Sequence, residues 1–339
     1  EIISKTAMLL LTIIVARTLS VEEFGLISFA ISFVLLFSIF ADLGITTVVL
    51  RKIAKNKKQT EKIVEESLSL KLILCSITAI LIFITIAIFH KKLEGEFIIL
   101  GAAGYMLIDS LNEFLKSIAR AHEKMEYESR NKMVEKILLL VLGGALIIIT
   151  KNPYYLIAGY CIASLSALVL TTRIVTKRFS TLHIKINKER WKKILKQSLP
   201  FAITTALVLF YSKIDIILLM LLKTKAEVGI YNAALTISVA LSIIPVLVTR
   251  TLFPAIAKKE KKEIKKRVIL KAIKILASIG IVIAIISTIT APQIINLLYS
   301  KRYLTAAFPF IIIMWSFAIM IVSSFISSTL QALNEEKKI

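Results

Sequence analysis

The chain has 339 residues, of which 57% are hydrophobic, with a formal net charge of +22 and a mean hydropathy of +0.81. A soluble globular protein of this length needs far more polar surface, so that class is excluded. Nucleic-acid binding is excluded as well, because the basic residues recur between apolar runs instead of gathering on one face of a soluble domain.

Taken in chain order, the apolar runs predict ten helices, at about 2–17, 25–50, 68–90, 96–118, 133–150, 153–176, 198–222, 227–254, 269–290 and 306–331. Runs of about 18 or more apolar residues are long enough to cross a bilayer, and in lipid the helix satisfies its own backbone groups. The expectation is an all-α polytopic membrane protein. The stretches after the second, fourth, sixth and eighth helices are strongly basic ("RKIAKNKKQTEK", "RAHEKMEYESRNK", "TKRFSTLHIKINKERWKKILKQ", "KKEKKEIKKR"). The alternate loops are less basic, and all but "APQIINLLYSKRYL" are short. The positive-inside rule puts the basic set and the N-terminus in the cytoplasm. Cys75 and Cys161 lie inside apolar runs and read as structural thiols. No metal or cofactor is expected, and His90, His122 and His183 receive no role. Trp315, Tyr299, Tyr154 and Tyr155 read as interfacial belt residues. The chain opens inside "EIISKTAMLLL" with no cleavable signal, so the native start is expected to be missing.

The chain contains a repeat. "VEEFGLISFAISFVLLFSI" (21–39) parallels "AEVGIYNAALTISVALSII" (226–244), with Glu23 matching Glu227 and Gly25 matching Gly229. Each copy opens the second helix of a half that starts inside. The expected domains are an N-terminal lobe at 1–176, a cytoplasmic linker at 177–197, and a C-terminal lobe at 198–339. A parallel repeat of six-helix halves is a known transporter plan. By that count the second lobe is incomplete.

Residues 13–55, with Ala16-Arg17-x-Leu19, Glu23-Phe24-Gly25 and Asp42-Leu43-Gly44, resemble the N-terminal signature of polysaccharide flippases. Residues 211–258, with Asp215, Glu227 through Asn232, and Phe253-Pro254, are similar to the second-half signature. These exporters belong to the multidrug/oligosaccharidyl-lipid/polysaccharide superfamily. The resemblance implies two pseudo-symmetric lobes around a central cleft, usually of twelve to fourteen helices. The implied activity is non-enzymatic: a polyprenyl-phosphate- or pyrophosphate-linked oligosaccharide is carried from the cytoplasmic to the outer leaflet of the cell membrane. The implied partners are that lipid-linked oligosaccharide, membrane lipids and glycan-assembly proteins.

A phosphate needs cations and a glycan needs a hydrated wall, which gives meaning to charges at membrane depth. Such charges cost about 2.5–3.5 kcal/mol each on insertion scales. Lys213, Arg250 and Arg17 are the candidate phosphate ligands. Arg17, at the outer rim, has helix capping as its alternative role. Asp42, Asp109, Asn112, Glu113 and Lys116 are candidates for a cavity wall or an ion-coupling site. Asp109, Asn112, Glu113 and Lys116 are spaced 0, 3, 4 and 7, which puts them on one helix face, with Tyr105 and Arg120 extending it. That face reads equally as an interhelical brace. Glu113 reaches Lys116 at i+3, and Asn112 reaches it at i+4. Lys5 is expected to pair with Asp42. Lys213 and Asp215 lie on different faces, with Asp215 the structural partner. Two other functions stay open: an extrusion antiporter for organic cations and, more weakly, a membrane enzyme of glycan assembly, for which the loops offer too few carboxylates.

Overall fold

In a computed structural model, the structure describes residues 2–89, 95–245 and 262–332. These residues form α-helices α1 (Ile2–Thr18), α2 (Val21–Asp42), α3 (Ile45–Lys55), α4 (Thr60–Phe89), α5 (Glu96–Ala121), α6 (Met125–Leu138), α7 (Gly144–Thr150), α8 (Pro153–Arg178), α9 (Lys188–Leu222), α10 (Lys225–Leu241), α11 (Lys262–Tyr299) and α12 (Ala307–Ala332). A π-turn at Leu139–Gly143 joins α6 to α7 in one continuous rod. Among the described residues, nine helical spans are long and apolar enough to cross a membrane. The first helix, α1, is a further apolar helix of 17 residues. The expected all-helical membrane architecture is the one observed.

Several boundaries differ from expectation, each for a physical reason. The predicted span 25–50 is two helices. Leu43 (φ 42°) and Gly44 (φ 75°) adopt left-handed backbone and break the run. A side chain at Gly44 would also collide with α9, its Cβ lying 2.6 Å from the Ser198 carbonyl oxygen. Beyond the break, α3 is amphipathic. Its apolar residues Val48, Val49 and Ile53 join Val64, Phe114, Ile118, Val175 and Ile194 in one buried cluster, which leaves its basic residues outward. The expected loop "RAHEKMEYESRNK" is mostly the start of α6, whose Glu- and Lys-rich turns are good helix formers. The expected loop 291–304 is largely the end of α11, which continues through Pro292 to Tyr299.

The contacts divide the chain into two compact units, Thr18–Gly229 and Glu1–Arg17 with Ile230–Ile339. These limits differ from the sequence division at 176 and 198. The reason lies in the segment 177–197. Only 179–187 is non-helical, and it is tied to α4: Ser69 Oγ donates to the Lys185 carbonyl at 2.8 Å, and Trp191 Nε1 donates to Ser69 Oγ at 3.1 Å. The start of α9 is thereby tied to α4, and the whole of α9 falls in the unit Thr18–Gly229.

The repeat is visible in the local chemistry. Ser20 and Glu23 form a capping box at the start of α2, with Glu23 N to Ser20 Oγ at 3.1 Å and Ser20 N to Glu23 Oε2 at 2.9 Å. Thr224 and Glu227 repeat it at α10, at 3.3 and 3.1 Å. The matched glycines meet each other. A Cβ on Gly25 would lie 1.9 Å from the Lys225 carbonyl oxygen, and one on Gly229 would lie 2.3 Å from the Val21 carbonyl oxygen. Each glycine thus rests on the backbone four residues upstream of its counterpart. Only residues without a Cβ allow so close a crossing.

In the other unit, α11 and α12 pack tightly where Gly280 faces Ala318, with 2.9 Å from an ideal Cβ to the Ala318 Cα. Trp315 Nε1 donates to Thr288 Oγ1 at 3.1 Å across the same pair.

Candidate functional site

The polar face of α5 is the densest constellation of charge at membrane depth. It meets a complementary face on α6, at the same 3–4 residue spacing: Glu128, Lys132, Glu135 and Lys136. Lys116 Nζ lies 3.2 Å from Glu113 Oε1 and 3.4 Å from Glu135 Oε2. Arg120 bridges Glu113 at 3.2 Å and Glu128 at 2.8 Å. Lys132 reaches Glu128 at 2.9 Å and Glu113 at 3.7 Å, and Lys136 reaches Glu135 at 2.6 Å. The side chains of Lys116 and Glu135 are only 2% and 3% exposed. Removing one member of such a pair leaves an uncompensated buried charge.

Asp109 makes no hydrogen bond or ion pair among the described residues. It lies in the electrostatic field of Glu135, Lys136, Lys116 and Glu113. With it the cluster holds four acids (Asp109, Glu113, Glu128, Glu135) and four bases (Lys116, Arg120, Lys132, Lys136), so its formal charge is zero. Asn112 points elsewhere. It is fully buried, and its Oδ1 accepts from Thr171 Oγ1 of α8 at 2.7 Å. The expected Glu113–Lys116 pair is present, while Asn112 engages α8 instead of Lys116. Tyr105 packs edge-on against Tyr160, ring centroids 5.1 Å apart.

Asp42 at the end of α2 pairs with Lys71 of α4 at 2.7 Å, and Thr46 Oγ1 also donates to its carboxylate. Lys71 is fully buried and also donates to Ser110 Oγ of α5 at 2.8 Å. Sequence reasoning passed over Lys71, although a lone lysine in "LSLKLILC" is itself a signal of a buried partner. The same reasoning missed Glu128, Lys132, Glu135 and Lys136, because it read much of their segment as loop. Lys5 Nζ donates to Ser242 Oγ at 2.7 Å.

Among the candidate phosphate ligands, Arg17 caps the C-terminus of α11. Its Nε donates to the Leu298 carbonyl at 2.9 Å, and an Nη donates to the Leu297 carbonyl. A cation is favoured there by the helix dipole and by the unsatisfied carbonyls. Lys213 sits half-buried in α9 without a hydrogen bond or ion pair among the described residues, and its electrostatic neighbour is Asp215. Asp215 Oδ1 accepts from the Ile216 amide at 2.8 Å. Arg250, Phe253 and Pro254 lie outside the described residues. Cys75 and Cys161 are free thiols. His122 is in contact with Thr60 at 3.0 Å and with the Phe179 ring, and its imidazole is held below the usual histidine value by burial and by Lys57.

Among solved structures, the chain is similar to the lipid II flippase MurJ in an inward closed conformation. The TM-score is 0.74 at 14% identity, covering 98% of this chain and 75% of that one. It is also similar to a multidrug resistance MATE family transporter of the MOP superfamily in an inward-facing conformation (TM-score 0.59, 18% identity, covering 99% and 82%). A Vibrio cholerae MATE transporter, VcmN, gives a TM-score of 0.61 at 15% identity, covering 99% and 82%. No match was found among curated proteins. The fold is a multi-pass helical one similar to those of the MurJ and MATE structures, with its charges gathered at helix–helix contacts. The profile of the family described as "Polysaccharide biosynthesis protein" matches residues 1–260, and the chain belongs to that family.

Proposed function

We propose that this chain is a flippase that moves a polyprenyl-phosphate- or pyrophosphate-linked oligosaccharide from the cytoplasmic to the outer leaflet of the cell membrane. It works by alternating access of two lobes and serves cell-surface polysaccharide biosynthesis. The family membership supports the glycan, and the likeness to a lipid II flippase supports the lipid-linked form. Charge and chemistry favour transport over catalysis, since among the described residues Asp42, Glu113, Glu128 and Glu135 are engaged with bases instead of being paired with one another for acid–base work. The basic segments assign the N-terminus and the even-numbered loops to the cytoplasm.

The observation that carries the substrate reading is Lys213. An ammonium half-buried in an apolar helix is costly unless something neutralises it. With no hydrogen-bond partner among the described residues, it is suited to a substrate phosphate. Arg250 is the second proposed ligand, and Arg17 a third that meets phosphate at the rim. Asp109, the acid of the α5 face without a direct partner, is the proposed coupling site. Asp42, Asn112, Glu113 and Lys116 form the wall that supports it.

The test is a leaflet assay in proteoliposomes with a polyprenyl-pyrophosphate sugar. Unaltered protein exposes the sugar to the outer leaflet, and Lys213→Ala does not. Undiminished transport by Lys213→Ala removes the phosphate-ligand role. The likeness to MATE transporters favours one second reading, a cation-coupled drug antiporter using Asp109. Efflux of an organic cation dye from the same vesicles, with no movement of the lipid-linked sugar, would select it.

A further inference from the structure

The same unit contains a second polar feature, at the opposite extreme of charge balance. A cavity of about 460 Å³ opens where the C-terminal end of α3, the first turns of α4 and the first turn of α9 converge. Its size falls within the usual range of ligand pockets. Its walls carry Lys52, Lys55 and Arg190 against a single acid, Glu66, so its formal charge is +2. Gln59 and Ser67 add neutral polar groups. The floor is rigid: Ser67 is fully buried and Glu66 is 7% exposed. Glu66 holds Arg190 at 3.0 Å, which uses one of the guanidinium's edges and aims the group into the cavity mouth. The Arg190 position is fixed by Asn187, whose side chain caps α9 through the Arg190 amide at 3.1 Å. The opposite wall is held by Arg51, which stacks over the Phe201 ring at 4.5 Å and ties α3 to α9. Burial keeps the Lys52 ammonium below the ordinary lysine value. The Glu66 carboxylate opposes that, and Arg190 adds to it.

Three cations held around one concavity, with one acid among them, repel each other unless an anion enters. Lys52 is partly buried in the concavity and Lys55 and Arg190 line its exposed rim, whereas the exposed Lys58 and Lys62 lie outside its lining. We infer that this cavity, where the end of α3 meets the starts of α4 and α9, is a binding site for a phosphate group, presented as a lipid headgroup or as a free phosphate. Arg190 supplies a planar fork, and Lys52 and Lys55 supply point charges, which together match a phosphate's oxygens. The inference does not rest on the substrate proposed above, and the site shares no residue with the α5–α6 cluster or Lys213.

The test uses the full chain in phosphatidylcholine nanodiscs at constant ionic strength. Inorganic phosphate is titrated while thermal unfolding is followed, since a ligand of the folded state raises the melting temperature. In a second arm, discs containing phosphatidylglycerol are used without phosphate, and retained lipid is counted by native mass spectrometry. Lys52→Gln/Lys55→Gln is compared with the exposed control Lys58→Gln/Lys62→Gln and with Lys52→Arg/Lys55→Arg. The pocket variant should bind roughly tenfold or more weakly through loss of charge-assisted hydrogen bonds, while the other two bind normally. If the double variant does not fold, Lys55→Gln alone, at the exposed rim, carries the comparison. A response to inorganic phosphate identifies a free-phosphate site, and a response confined to phosphatidylglycerol identifies a lipid-headgroup site. Equal binding by the pocket and control variants in both arms, or no saturable binding by the unaltered protein, overturns the inference.

Discussion

The cluster between α5 and α6 and the lysine of α9 are both charges in apolar helices, yet they are built in opposite ways. In the cluster, three acids pair with four bases while Asp109 lies beside them, and the most buried members, Lys116 and Glu135, touch one another. Lys213 has no such partner among the described residues. A closed set of charges is spent on holding helices together, whereas an open one retains its electrostatic attraction for something that arrives. Depth and charge alone do not separate these cases; the partner list does.

The comparison breaks most visibly at Lys116. Lys116→Ala leaves buried Glu135 with Lys136 alone, and losing the charge-assisted bonds should cost about 1.5–3 kcal/mol in thermal unfolding of the detergent-solubilised protein. The double change Lys116→Met/Glu135→Leu should recover only part of that loss, since it also takes the Glu135 carboxylate from Lys136. Next comes Gly25→Ala, whose new methyl meets backbone at the Lys225 carbonyl. Forcing that crossing apart should cost about 1–3 kcal/mol, read from the same melts. Thr171→Val removes the bond to Asn112 and should cost about 1 kcal/mol. The smallest effect on stability belongs to Lys213→Ala, which breaks no hydrogen bond among the described residues and should shift unfolding by less than about 0.5 kcal/mol. Its effect on lipid-linked sugar movement should nevertheless be complete. A Lys213→Ala protein that is as destabilised as Lys116→Ala would erase the distinction between the two regions.

The helices were legible in the sequence because lipid imposes length and apolarity on each span, and these can be counted without tertiary knowledge. The α5 face was legible because a spacing of 0, 3, 4 and 7 has only one placement on a helix. Its partners were not legible, because "EYESRNK" is as polar as any loop. Only contact with α5 distinguishes it as the beginning of a membrane-depth helix. The break at Leu43–Gly44 was hidden because the apolar pattern continues through it, and what changes there is backbone handedness. Lys71 was hidden by its neighbours: a single charge in an apolar run carries no periodicity, and the acid that neutralises it lies 29 residues away.

The neutrality of the α5–α6 cluster also bears on how the protein is made. The α5 helix alone carries Asp109, Glu113, Lys116 and Arg120, and each charge costs about 2.5–3.5 kcal/mol to bring to the centre of a bilayer. Their partners emerge from the ribosome only after the three-residue turn 122–124, where Glu123 (φ 63°) reverses the chain. Pairing of α5 with α6 places these charges against each other, so the helical pair presents less charged surface to lipid than α5 and α6 do singly.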